Sequence, residues 1–370
     1  MKNIVILATG GTIAGAGEKG KDIGYKSGAL EAQALIDAVP ELKTVANIFV
    51  EQVCNINSDD ITSEIWITLA RRIKELASVG FGTSHENVDG FVIMHGTDTM
   101  EETAFFLSLT LGTKERTAAK PAVLTGSMRP ATAEEPDGPA NLLFAVKSAV
   151  DLCERGAAGH VILSQSEGSC DCPSGLSSRT EKKIPVYVAF AGKLMDAWTV
   201  QKVHANSLDA FAEVGDSSAC LPGFIPGSAL AFDISSLHIL PKVTVLYFNA
   251  DADAELVRFA AERSAGLVIA GAGAGEFSQA WAMAIANIIA EKNIPVVIST
   301  RINRGCIVPE QLLVPGTIAA YSLPPAKAAV LLRLALTVTH DSNVIQKIFY
   351  ESLPGVVILS SEATKNPVTL

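Results

Sequence analysis

Two short threonine-bearing turns carry the chemistry most readable in this chain. Ala8-Thr9-Gly10-Gly11-Thr12 closes the apolar run 4–8, and His95-Gly96-Thr97-Asp98-Thr99 follows the apolar run 90–94. In each, a buried strand is expected to end in a glycine turn that presents a hydroxyl. A threonine hydroxyl is a weak nucleophile. It needs a base, a polarised target and donors for a developing oxyanion. Backbone N–H groups of a Gly-rich turn can supply such donors around Gly11. The Thr12 turn can also be read as an ordinary phosphate-type loop, or as a turn without a ligand.

Other side chains could serve such a hydroxyl. The stretch 15–25 is pliable through its glycines, as a lid must be, and ends at Tyr25. That phenol could orient or deprotonate Thr12, or simply pack. Asp98 could accept from a substrate ammonium, or act as a charge at a helix N-terminus. Asn57-Ser58-Asp59-Asp60 follows another apolar run and is expected on the same rim. Ser58 could donate to a carboxylate and Asp59 accept from an ammonium, or the segment could be an Asx turn and helix cap. Lys202 stands among uncharged neighbours; a lysine desolvated in a cleft can act as a base. His95, in the last turn of a buried strand, is expected to be a packed, hydrogen-bonded residue with a minor role.

These residues need elements to hold them. Strand-like runs at 4–8, 47–53, 90–94, 121–125, 160–164 and 186–190 alternate with helical stretches at 29–38, 62–77, 100–111 and 140–154. That alternation implies an α/β fold with a mostly parallel sheet flanked by helices. Ligands of such sheets bind beyond the carboxyl ends of the strands. Thr99-Met100-Glu101-Glu102 fits a capping box, with Ala104, Leu107 and Leu111 on one helical face. A second, smaller α/β pattern follows, with apolar runs at 243–248, 267–270 and 294–299 and helical stretches at 253–264, 278–291 and 325–337. The expected organisation is a larger N-terminal catalytic domain over 1–214, a Pro/Gly/Ser-rich linker over 215–241, a smaller C-terminal domain over 242–350 and a tail over 351–370. Residues 165–183 read as a surface loop, and 355–359 could add an edge strand.

Composition narrows the function classes. A net charge of −10 over 370 residues argues against a nucleic-acid partner. No apolar run has the length of a membrane span. The opening run 4–7 is too short for a signal sequence's apolar region, so a cytoplasmic location is expected. The six cysteines are scattered and expected to be reduced there. Cys170-Asp171-Cys172 has no second pair at zinc spacing, so neither a metal nor a cofactor is expected.

Taken together the segments resemble the bacterial-type L-asparaginase family. The matching pieces are the stretches 8–15, 95–104, 126–130, 137–142, 202–211, 270–275 and 331–337, and the similarity runs from about residue 3 to residue 350 apart from 165–183. The resemblance implies hydrolysis of L-asparagine to L-aspartate and ammonia. It implies Thr12 as nucleophile, Tyr25 as its flexible-loop activator, and Thr97, Asp98 and Lys202 as a second catalytic set. Ser58 would bind the substrate α-carboxylate and Asp98 the amino group. N–H groups near Gly11 and Thr97 would face the oxyanion. It also implies a homotetramer of intimate dimers, each site completed by the partner's smaller domain.

Three departures from the family pattern matter. Asp59 stands where many relatives have Gln or Glu. The partner-supplied acid falls on Leu312, or on Glu310 with a small shift. Glu276 replaces a small polar residue. A glutaminase-asparaginase is the alternative within the class, because the two substrates differ by one methylene. A nucleotide-binding module is the alternative outside it, on the run 271–275. The third glycine of that run is misplaced for a dinucleotide loop.

Overall fold

The computed structural model describes residues 1–18, 28–113, 120–155, 182–183, 185–214 and 231–352. Tyr25, the run 160–164, the 165–183 stretch up to residue 181, the linker part 215–230 and the tail from residue 353 lie outside them.

The first strands are β1 (Asn3–Gly10), β2 (Asn47–Ile56), β3 (Gly90–Met94), the short β4 (Gly112–Thr113), β5 (Ala122–Thr125), the short β6 (Lys182–Lys183), β7 (Val186–Phe190) and β8 (Lys193–Asp196). One sheet has the order β2-β1-β3-β5-β7-β8. Its neighbours are parallel except for the β7–β8 hairpin. Strands β4 and β6 pair with each other apart from it. The order turns back on itself at β1, which has β2 on one side and β3 on the other. The crevice outside such a reversal is where open α/β sheets hold ligands.

Helices cover both faces, and side-chain alternation decides which. Val5, Leu7, Phe91 and Ile93 face α3 (Ser63–Val79) and α4 (Met100–Thr110). Ile4, Ile6, Val92 and Met94 face α1 (Ala32–Asp37), α2 (Leu42–Val45) and α5 (Gly138–Arg155). Ile4 through Leu7 are wholly buried, and each such side chain contributes about 1.5–3 kcal/mol. This is why a two-faced sheet gives continuous apolar runs rather than alternation.

Strands β9 (Val200–Lys202) and β10 (Phe211–Glu213) form an antiparallel pair. A second sheet then runs in sequence order, β11 (Val243–Tyr247), β12 (Gly266–Gly271), β13 (Val296–Thr300) and β14 (Ile318–Ala319), parallel throughout. One face packs on α6 (Glu255–Ala261) and α7 (Gln279–Lys292). The other meets α8 (Pro325–Ala335) and α9 (Ser342–Ser352) within an apolar cluster that also contains α3 and α4. The sequence pattern did not mark α9.

Three expectations need correction here. Helix α4 is buried nearly all round rather than on one face, because it lies between the larger sheet and α8. It has no side-chain cap, so the capping box at Thr99 does not form. The Thr99 hydroxyl instead donates to the Ser58 carbonyl at 2.6 Å. The cysteines are not all reduced either. Cys306 is disulfide-bonded, while Cys54 and Cys153 are free thiols. Burial raises both free thiols, Cys153 to about 12.

Candidate active site

Three strand ends are drawn together by glycines. The β1–β2 register slips between Ala8 and Gly10. Gly10 and Gly11 then take left-handed φ values of 105° and 84°. Gly11 N–H donates to the Ile56 carbonyl at 2.9 Å. A Cβ on Gly11 would lie 2.5 Å from the Gly96 backbone, and one on Gly96 would lie 2.7 Å from Ser58 Oγ. Only bare backbone permits this approach. The contact places Thr12 and Thr97 each one residue beyond it, and Ser58 alongside.

Thr12 opens a short 3₁₀ turn, Thr12–Ala14. The segment beyond it is tied to the loop after β5. Ala131 N–H donates to the Gly15 carbonyl at 3.0 Å, and Gly17 N–H donates to Thr132 Oγ1 at 3.0 Å. Asp137 holds that loop by accepting from the Met128 and Arg129 N–H groups, both at 2.9 Å. Asn141 donates to the Gly126 carbonyl at 3.0 Å. The motif stretches 126–130 and 137–142 are therefore the scaffold for the approach to Thr12.

The second set is assembled. Thr97 is buried at the end of β3, and Lys202 Nζ donates to its Oγ1 at 2.9 Å. The same Nζ lies 2.6 Å from Asp98 Oδ1. The Lys202 side chain is 15% exposed and that of Asp98 is 67% exposed. The amine is thus shielded while the carboxylate faces outward. Ser58 is buried, and its Oγ accepts from Asp98 N–H at 3.2 Å. Asp59 is exposed beside it in the 3₁₀ turn Ser58–Asp60. The cap of α3 is Thr62, not Asn57. A hydroxyl bonded to an amine that is itself bonded to a carboxylate is a proton path.

His95 is structural, as expected. Its Nδ1 lies 2.7 Å from the Gly96 carbonyl, which can only accept, so Nδ1 carries the proton. Nε2 then accepts from the Thr103 hydroxyl at 2.9 Å, and Thr103 accepts from Trp66 Nε1 at 2.8 Å. Burial lowers the ring to about 4, so it stays neutral. This chain fixes Gly96 from behind.

Two groups were not singled out in the sequence. Glu101 Oε2 accepts from Lys202 N–H at 2.5 Å, tying α4 to β9. Burial raises this carboxyl, and the charges of Lys327 and Lys202 oppose the rise. Lys327 is wholly buried and donates to the carbonyls of Ala197, Trp198 and Val200 at 2.9, 2.7 and 2.6 Å. The signals were weak: a Glu pair opening an apolar helix, and one lysine inside the apolar stretch 325–336.

The run 271–275 does not form a dinucleotide loop. A Cβ on Gly271 would lie 2.3 Å from Gly275, and Ala272 bridges Glu276, so the turn closes on itself before α7 begins at Gln279.

Comparison with known proteins gives a consistent picture. Residues 3–167 match the model of the asparaginase N-terminal domain, and 242–349 that of the glutaminase/asparaginase C-terminal domain. The chain is 37% identical over 355 residues to L-asparaginase 2 of Bacillus subtilis, covering 95% of this chain and 87% of that one. It is 33% identical to a glutaminase-asparaginase of Pseudomonas fluorescens, covering 95% and 91%. The crystal structure described as a probable cytoplasmic L-asparaginase from Campylobacter jejuni superposes with a TM-score of 0.76 at 34% identity, covering 95% of this chain and all of that one.

Proposed function

This chain belongs to the asparaginase family, and from that premise we propose that it hydrolyses the side-chain amide of L-asparagine, releasing L-aspartate and ammonia. The observation that carries the reading is the Lys202–Thr97–Asp98 arrangement at the reversal of strand order. Thr12 attacks the amide carbon, with Tyr25, outside the described residues, as activator. The Gly11 N–H is given to the Ile56 carbonyl, so N–H groups beyond Gly11 and near Thr97 hold the oxyanion. Ammonia leaves, and water then clears a β-aspartyl ester on Thr12. Lys202 and Asp98 tune Thr97 and pass the proton. Ser58 receives the α-carboxylate, while Asp98 and Asp59 receive the α-ammonium.

An aspartate at position 59 reaches about one methylene less far than a glutamate. The substrate must then sit deep, or a water must bridge the gap. Both favour asparagine over the longer glutamine, by at least ~10-fold in kcat/KM. Ammonia release from the two substrates, measured side by side, tests this; equal turnover would refute it. The second reading, a broad glutaminase-asparaginase, draws on the Pseudomonas fluorescens relative.

The assembly in this reading is a homotetramer of intimate dimers. Tyr247, Phe259 and Met283 are exposed on the smaller-sheet unit, which supports a partner covering that surface. Glu310 is exposed, whereas Leu312 packs toward the smaller core, so Glu310 is the better source of a partner-supplied acid. Exposed Glu276, set near the substrate's α-carboxylate, would weaken its binding. Sedimentation of the purified protein checks the assembly. Among the described residues no helix is long and apolar enough to cross a membrane. The description of the Campylobacter jejuni protein supports a cytoplasmic setting, while the Cys306 disulfide supports an oxidising one. Cell fractionation with thiol counting separates the two.

A further inference from the structure

Lys327 is the most conspicuous charge outside the site. It lies on α8, which packs against the smaller sheet, yet its ammonium reaches the segment that leads to Lys202. An ammonium has three N–H donors, and here each meets one carbonyl, at residues 197, 198 and 200. Helix packing alone does not call for this. Its neighbours Ala328, Val330 and Leu331 are apolar and fully or almost fully buried, and a methionine would fill the same space. Burying an ammonium is costly unless it is paired.

Glu101 completes the arrangement. It stands one turn beyond Thr97 on α4 and accepts the Lys202 N–H. Its carboxylate is half-buried and feels the charge of Lys327. Two opposite charges from different sheet units thus grip β9 and the residues leading into it, Lys327 by the carbonyls of Ala197, Trp198 and Val200 and Glu101 by the Lys202 N–H.

We propose that Lys327 is a positioning residue for the reaction: together with Glu101 it fixes β9 so that Lys202 Nζ stays on Thr97 Oγ1. The proposal rests on the reading of Thr97 and Lys202 as catalytic. Lys327 touches no substrate. Its effect passes through the backbone of residues 197–202, and a displacement of about 1 Å at a reacting group can cost about a hundredfold in rate.

The test uses the full-length enzyme and the variants Lys327→Met, Glu101→Leu and Glu101→Gln. Each is read by its crystal structure, its thermal midpoint, and kcat and KM for asparagine. In folded Lys327→Met, Nζ should leave hydrogen-bond reach of Thr97 Oγ1. Its kcat should fall at least ~10-fold and its KM change less than ~3-fold, because the proton path moves while the substrate contacts remain. Glu101→Leu should behave alike, and Glu101→Gln, which keeps an acceptor for the Lys202 N–H, should recover part of the loss. The double variant Lys327→Met/Glu101→Leu should be no worse than about twofold below the poorer single variant. A folded Lys327→Met with the 2.9 Å bond intact and kcat within ~2-fold of wild type would overturn the proposal. Losses that multiply in the double variant would overturn it too. Should Lys327→Met not fold, the Glu101 pair decides on the same distance and rate. Should the wild type release no ammonia from asparagine, the functional reading fails, while the Nζ–Oγ1 distance still judges the clamp.

Discussion

The larger, mostly parallel sheet and the smaller, wholly parallel one are built from similar apolar strands yet differ in strand order. The larger runs β2-β1-β3-β5-β7-β8 and turns back at β1; the smaller runs β11-β12-β13-β14 without a reversal. At the reversal, loops leave in opposite directions and open a crevice between strand ends. There Gly11, Gly96 and Ser58 come into near-contact and place Thr12 and Thr97 beside it. The smaller sheet has a glycine turn at the end of β12 as well, but a Cβ on Gly271 would first meet Gly275 of the same turn. Glycine at a strand end is thus not a site by itself. What it approaches decides.

The comparison breaks first if Thr97 and Lys202 are dispensable. Thr97→Val and Lys202→Met should each lower kcat by about a thousandfold or more, and the double variant by hardly more than either, as for groups that act as one unit. Additive losses would separate them. The next effect contrasts the two glycine turns. Gly96→Ala forces a Cβ onto Ser58 and should cost about a hundredfold in kcat/KM, since the strand ends must part. Gly271→Ala meets backbone within its own turn. It should lower the thermal midpoint and shift KM through the Glu276 loop, with kcat within about threefold. Equal kcat losses in the two would erase the distinction.

The sequence made some of this legible and hid the rest, for physical reasons. Buried strands read directly as apolar runs, and β3 and β7 lie on their expected residues. Thr97 and Asp98 were identifiable in a glycine turn, Lys202 as a lysine among uncharged neighbours, and Ser58 in a polar segment directly after an apolar run. Their convergence depends on strand order, which no local pattern encodes. Helix α4 was misjudged because burial on all sides erases the amphipathic stripe, and Thr99 because a tertiary acceptor competes with capping. Lys327 was invisible because its partners are three backbone carbonyls more than a hundred residues away.

A smaller effect concerns the rim. Asp59→Ala should raise KM for asparagine more than it lowers kcat, and Asp59→Glu should lower KM; an unchanged KM in Asp59→Ala would remove Asp59 from the amine site. The smallest lies between the sheets, where Glu102 faces Glu101, Arg333 and Lys327. Burial first, then the Glu101 charge, raises the Glu102 carboxyl from 4.5 to about 7. The folded protein therefore binds its proton more tightly than the unfolded chain does. This contribution favours folding below about 4.5 and is lost as pH rises to about 7. Glu102→Gln should raise the thermal midpoint by about 2 °C at pH 8 and leave it unchanged at pH 4. A midpoint gain at low pH alone would reverse the assignment.

The central claim is that the hydroxyl presented at the β1 end is the nucleophile, and it is tested most directly by trapping the acyl-enzyme. Rapid acid quenching during asparagine turnover, followed by peptide mass spectrometry, should find one aspartyl group esterified to Thr12. The Thr12→Ala protein, folded as the wild type, should carry none and lose several orders of magnitude in kcat. An aspartyl group on another residue, or a Thr12→Ala enzyme keeping more than about a tenth of wild-type activity, would contradict the account.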